Sequence, residues 1–293
     1  LIAWGVGPEG ATIPPGILNL TDFTAVYGAG SAFAAQRADG SLVAWGSAAN
    51  GGSLPNDIAD LKDIYYVKGN FAAFAARRTN NRVVAWGNAG YGGTVPDAIA
   101  QLTDIVTLEG ATAQAFSALR ATGQVVAWGA GSHGGSVPQE IAGLTDIVEV
   151  TSTWHAFCAR RRNGSVVAWG NANNGGNVPQ PVANLRNVIQ VTGSAWAFAA
   201  LCSDGTVAVW GRSEAGGDIS RVSDQLKHVR AVYANSNGFA ALTSDGRVVT
   251  WGQPQGGGDS AAVQAALRNK VTTGHRVDVN AEADGEWAGA PGA

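Results

Sequence analysis

The sequence predicts an all-β fold, a seven-bladed β-propeller of four-stranded antiparallel blades. The first observation behind this is an apolar pentapeptide closed by Trp-Gly that occurs seven times, at Trp4, Trp45, Trp86, Trp128, Trp169, Trp210 and Trp251. The second is its spacing, 41 residues five times and 42 once. The third is the order of turn signals and short apolar runs between copies, which is the same each time. A fixed period near 40 marks stacked copies of one supersecondary unit, none of which buries its apolar face alone.

Residues 144–179 show the unit. DIVEV (146–150) is short and β-branched and predicts strand a; HAFCARR (155–161) predicts strand b; SVVAWG (165–170) predicts strand c. Asn163-Gly164 between b and c is a hairpin signal, and the other copies place DG, TG or NN there, at 39–40, 80–81, 122–123, 204–205 and 245–246. After Trp-Gly come a variable loop, a Gly pair and a short strand d ending at Pro55, Pro96, Pro138 or Pro179. Proline suits the end of an outer edge strand and not a central one. A turn or single helical turn leads to the next copy. Strand b carries Phe33, Phe74, Phe116, Phe157, Phe198 and Phe239 among small residues, which fits sheets packed on both faces. Leu20, Leu61, Leu102, Leu144, Leu185 and Leu226 mark the approach to strand a, and an Asp two residues later in four copies reads as a turn or cap residue. The extra residue of the 42-residue spacing falls near EGATAQ, in the loop between strands a and b.

The ends complement each other. Residues 1–5 and ATIP supply strands c and d without a or b, and residues 270–285 supply a degraded a and b. A closing blade in which residues 1–5 pair with 276–282 would leave no open sheet edge. The expected organisation is one propeller over 1–285 and a tail over 286–293. Leu1 opens directly into a strand with no charged leader, so the stretch is expected to be excised from a longer or processed chain.

Composition narrows the function classes. Net charge is −3 and charged residues make up 14%, with no basic stripe, so nucleic acid is not an expected partner. No apolar run approaches the length of a membrane span. The 41 glycines fit many tight turns. Cys158 and Cys202 occupy non-equivalent places in neighbouring copies, as expected of free thiols packed in strands. Nucleophile-elbow, P-loop, HExxH and CxxC motifs are absent, so neither an enzyme nor a cofactor or metal site is expected.

The small-residue strand, the D-G hairpin and the aromatic-glycine strand end together resemble the regulator-of-chromosome-condensation repeat family over residues 1 to about 260. The VVAWG, Gly-pair and V-P pattern looks most like its bacterial branch, which includes secreted propellers that inhibit β-lactamases. The resemblance implies a binding platform, secreted or at the cell surface. It does not carry the nucleotide-exchange role, whose extra loop has no counterpart here, nor chromatin binding, whose basic extensions are missing. The tryptophan segments of the plant UV-B photoreceptor branch are matched only at Trp154, with Thr153 and His155 in place of the family's neighbours.

Seven copies define scaffold, so function is expected where copies differ. Strand alternation puts the a–b and c–d loops on one face and the b–c hairpins on the other. The a–b loops carry Phe71, Trp154, His155 and Trp196, and the c–d loops carry Tyr91, His133 and Asn174. Exposed aromatic side chains of this kind dominate binding hot spots. The expectation is a monomeric, non-enzymatic module binding a protein, in an inhibitory or adhesive role, through Phe71, Tyr91, His133, Trp154, His155 and Trp196. The alternative is a carbohydrate-binding propeller, which would ordinarily repeat its aromatic site in most blades.

Overall fold

The computed structural model describes residues 12–267. Among the described residues eighteen strands fall into six three-stranded antiparallel sheets, each in the order a, b, c. They are β1–β3 (Phe23–Gly28, Ala32–Arg37, Leu42–Gly46), β4–β6 (Ile64–Gly69, Ala73–Arg78, Val83–Gly87) and β7–β9 (Ile105–Ala111, Ala115–Arg120, Val125–Gly129). Then follow β10–β12 (Ile147–Ser152, Ala156–Arg161, Val166–Gly170), β13–β15 (Val188–Gly193, Ala197–Cys202, Val207–Gly211) and β16–β18 (Val229–Ala234, Gly238–Thr243, Val248–Gly252). Strands a, b and c read from one repeat thus recur in all six sheets.

Register explains the two aromatic columns. In every sheet the strand-b Phe lies directly opposite the strand-c Trp, from Phe33 and Trp45 to Phe239 and Trp251. Their ring centroids are 5.1 to 5.7 Å apart. From the second sheet onward each pair then packs on the alanine-rich strand b of the preceding sheet: Phe239, Trp251 and Val232 meet Ala197, Ala199 and Leu201. Large rings on one sheet need small residues on the facing one, so the alanines set the spacing between sheets. The indoles also tie neighbours together. Nε1 of Trp86, Trp128, Trp169, Trp210 and Trp251 donates to the carbonyl of Gly51, Gly92, Gly134, Gly175 and Gly216 in the preceding sheet's c–d loop, at 2.9 to 3.1 Å. On the hairpin side, Gly40, Asn81, Gly123, Gly164 and Gly205 each accept a backbone hydrogen bond from the first residue of the next strand a, at 3.0 or 3.1 Å.

Four expectations are corrected or displaced. The fourth strand is not a strand: Leu54, Val95, Val137 and Val178 turn inward against the core, and the following proline precedes a four-residue helix such as Asn56–Ala59. Two or three extended residues ending in a residue without an N–H offer too little to pair with strand c. The extra residue of the third repeat is absorbed in β7, seven residues long with two register shifts, and not in the a–b loop. The recurrent Asp is an ion-pair partner and not a cap. Asp22, Asp63, Asp104 and Asp146 pair with Arg37, Arg78, Arg120 and Arg161 at the end of strand b in the same sheet, at 2.8 to 3.0 Å. In the fifth and sixth sheets the two positions change together, to Asn187 with Cys202 and His228 with Thr243. The closing pair of residues 1–5 and 276–282, the 286–293 tail, Trp4 and Trp287 lie outside the described residues.

Since both members of the Asp146–Arg161 pair retain about a quarter of their exposure, Asp146→Asn is expected to lower stability by about 1 kcal/mol or less. Urea unfolding of the variant checks this, and a loss several times larger would show that the pair holds the hairpin side. Cys158 and Cys202 are buried and unbridged, and burial pushes both thiols above their ordinary range, so neither is poised as a nucleophile.

Candidate functional site

The a–b and c–d loops share one face because they are bonded to each other within each sheet. Asn70 Nδ2, Thr112 Oγ1, Thr153 Oγ1, Ser194 Oγ and Asn235 Nδ2 donate to the carbonyls of Tyr91, His133, Asn174, Ala215 and Gly256, at 2.7 to 3.4 Å. This column of short polar residues does not stand out when the sequence is read alone. Its signal is present nonetheless, as a Ser, Thr or Asn three residues before the start of each strand b from the second copy onward.

A second set of bonds runs from sheet to sheet. Backbone N–H groups of Gly30, Phe71, Ala113, Trp154 and Ala195 donate in turn to the carbonyls of Phe71, Ala113, Trp154, Ala195 and Ser236, at 2.8 to 3.4 Å. These six residues occupy the same place in successive a–b loops. Large and small residues alternate in the middle of this ladder, Phe71 and Trp154 flanking Ala113. The rings therefore meet across the small residue, edge to face with centroids 5.9 Å apart.

Trp196 is the hub of the aromatic contacts on this face. Its ring lies 5.5 Å from that of Trp154 and is stacked on His155 at 4.8 Å. The Arg212 guanidinium sits over the same indole, 4.7 Å from its centroid. His155 in turn touches His133, with ring centroids 4.6 Å apart. Five of the six expected residues thus form one connected cluster across four sheets, with Phe71 at 52% and Trp154 at 41% exposure and the other three half-buried. Tyr91 stands apart from these ring contacts: it is half-buried against the core that contains Ala73, Phe116 and Trp128. Asn174 is buried, and its carbonyl is one of the loop acceptors. Sequence reasoning misses Arg212, although it is the only basic residue directly following a described Trp-Gly pair.

The electrostatics of this face are sparse. The a–b loop residues 29–31, 70–72, 112–114, 153–155, 194–196 and 235–237 contain no Asp, Glu, Lys or Arg, and the c–d loops from 47–52 to 253–258 contain only Arg212 and Glu214. The four Asp–Arg pairs and the hairpin acids Asp39, Asp204 and Asp245 lie on the other side. Burial lowers the pKa of His133. That of His155 is lowered by burial first, then by His133 and by Arg212. Both shifts favour the neutral imidazole. A pocket of about 330 Å³ opens beside the cluster, walled by Trp196, Arg212, Glu214, Ala215, Asn237 and Gln253. Among the described residues no group of three or more His, Cys, Asp or Glu could hold a metal ion, and no helix is long and apolar enough to cross a membrane.

No protein-family model matches the chain, and no curated protein sequence matches it. Solved structures do match in fold. Human WBSCR16 superposes with a TM-score of 0.51 at 18% identity, over 78% of this chain and 76% of that one. The ectodomain of the receptor kinase CR4 from Physcomitrella patens gives 0.51 at 19% identity, over 80% of this chain and 65% of that one, so the chain spans just under two thirds of that ectodomain. Yeast RCC1 (Prp20) in its complex with Kap60 gives 0.49 at 17% identity, over 78% and 70%. The chain shares a propeller-type all-β fold with human WBSCR16 and the CR4 ectodomain.

Proposed function

We propose that this chain is a non-enzymatic, protein-binding propeller whose binding surface is the loop face centred on Trp154 and Trp196. The observation that supports this best is the connected cluster of Phe71, Trp154, Trp196, His155 and His133 on a face nearly free of charge. Interface cores are depleted of charged residues and enriched in aromatic ones, with Arg, and a standard interface needs about 800 Å² per partner. Trp196 already has His155 and Arg212 against its ring, which leaves less of it for stacking on a sugar. A secreted bacterial setting, an inhibitory or adhesive role and a monomeric state belong to the same proposal, on the strength of the repeat resemblance. So does closure as seven blades through residues 1–5. Deleting those five residues is expected to lower the melting temperature by several degrees, and equal melting of the two forms refutes the closure.

The binding test places a photo-crosslinking residue at position 154 or, as a control, at 204, and identifies the proteins captured from the source organism's surroundings. With that partner, Trp154→Ala and Trp196→Ala are each expected to weaken binding by about 2 kcal/mol or more, roughly thirty-fold in Kd. Asp204→Ala and Asp245→Ala on the hairpin face are expected to change it little. Loss of binding in the hairpin variants alone would place the interface on the opposite side. Binding to a glycan array that is lost with Trp154→Ala would favour the carbohydrate reading.

A further inference from the structure

We propose that the contact between His133 and His155 is a proton-operated latch on the loop face: charging the two imidazoles separates the c–d loop of the third sheet from the a–b loop of the fourth and loosens the Trp154–Trp196 cluster. The geometry carries this. The two rings come from neighbouring sheets and lie 4.6 Å apart, tilted by 34°, a contact that two neutral imidazoles make and two imidazolium ions oppose. His155 is wedged between this partner and Trp196, its Nδ1 is buried, and no hydrogen-bond acceptor reaches that atom. A proton added there has nothing to donate to without movement of the loop.

The surrounding groups reinforce the effect. From the fifth sheet's c–d loop, Arg212 brings a fixed positive charge to the far end of the same cluster and disfavours a charged His155. His133 Nδ1 faces the hydroxyl of Ser132, a neutral neighbour. Trp154 and Trp196 present rings, and the fourth sheet's c–d loop presents the uncharged Asn174. Glu214 lines the pocket together with Trp196 and Arg212, and no carboxylate is among the groups that shift either histidine. Both imidazoles have folded-state pKa values below their ordinary value. The native arrangement is therefore fully favoured above about pH 6.5 and is lost as the pH falls through the depressed folded values. A surface so built releases whatever it holds on acidification.

The latch rests on the binding reading only for this last consequence, and its test needs no partner. In the intact chain, the imidazole resonances of His133 and His155 are followed by NMR between pH 8 and pH 4, with near-ultraviolet circular dichroism recorded in parallel. Both histidines are expected to titrate below 6.5, with the midpoint of His155 moving up in His133→Gln. The near-ultraviolet signal should change with the same midpoint while the far-ultraviolet signal stays constant, and the double variant His133→Gln/His155→Gln should lose that change. Unchanged midpoints in the single variant, or an acid transition that persists in the double variant, overturns the latch. Failure here leaves the binding face standing, whereas full binding by Trp154→Ala and Trp196→Ala removes the face and leaves the titration intact.

Discussion

Replacing Trp128 with alanine is expected to destabilise the protein by on the order of 3–5 kcal/mol, through lost burial and the cavity left behind. Trp128 is 1% exposed, lies against Phe116 at 5.7 Å and packs on Ala73 and Ala75 of the preceding sheet. Its Nε1 donates to the Gly92 carbonyl at 3.0 Å, so the truncation also strips a buried acceptor of its partner. The conservative Trp128→Phe separates the two effects, keeping most of the ring contact and losing the donor; its expected cost is about 1–3 kcal/mol. Urea unfolding of the two variants beside the parent measures both. A cost near zero for the alanine variant would mean that the Trp column is not what joins the sheets. Such a result would also reopen the column as a binding element.

Most of the fold was legible because repetition isolates what packing requires. The Phe of strand b and the Trp of strand c recur in step since each must face the other, and the small residues beside them recur since the next sheet's rings must fit there. The proline-terminated segment misled because Val178 and Leu54 look like strand residues by type, yet they fill the space between sheets and never pair. The Asp just before strand a misled for a different reason. Its Arg partner is 15 or 16 residues away on strand b, and only the paired strands bring the two together. At the site, the aromatic residues stood out as departures from the repeat, and strand alternation put them on one face. Their mutual contacts were not readable. The Phe71–Trp154 pair depends on the loop ladder that carries both residues past Ala113, and the role of Arg212 depends on where the Trp196 ring lies.

Gly175→Ala is expected to damage stability and binding together, because the scaffold and the face meet at that position. Gly175 has φ of +96°, which an L side chain adopts only with strain, and an added Cβ would lie 2.5 and 2.8 Å from ring carbons of Phe198. Left-handed strain of about 1–2 kcal/mol and overpacking of about 1–3 kcal/mol make a total loss of roughly 2–5 kcal/mol. Gly131→Ala is the control: the nearest atom to its added Cβ is Ser136 Oγ at 3.8 Å, and the expected effect is a gain of about 0.4–1 kcal/mol. Which part yields then decides the functional effect. Phe198 is fully buried between sheets, whereas the c–d loop of Asn174 and Gly175 is held to the a–b loop by the hydroxyl of Thr153. The loop is the softer of the two, so the strain is expected to reach Trp154 and His155 through Thr153 and to weaken partner binding under conditions where the variant is still folded. Thr153→Val, which removes that hydroxyl without adding a methyl at Gly175, should reproduce the binding loss with a smaller loss of stability. If Gly175→Ala lowers stability while binding by the folded fraction is unchanged, the Thr153 link does not position the face.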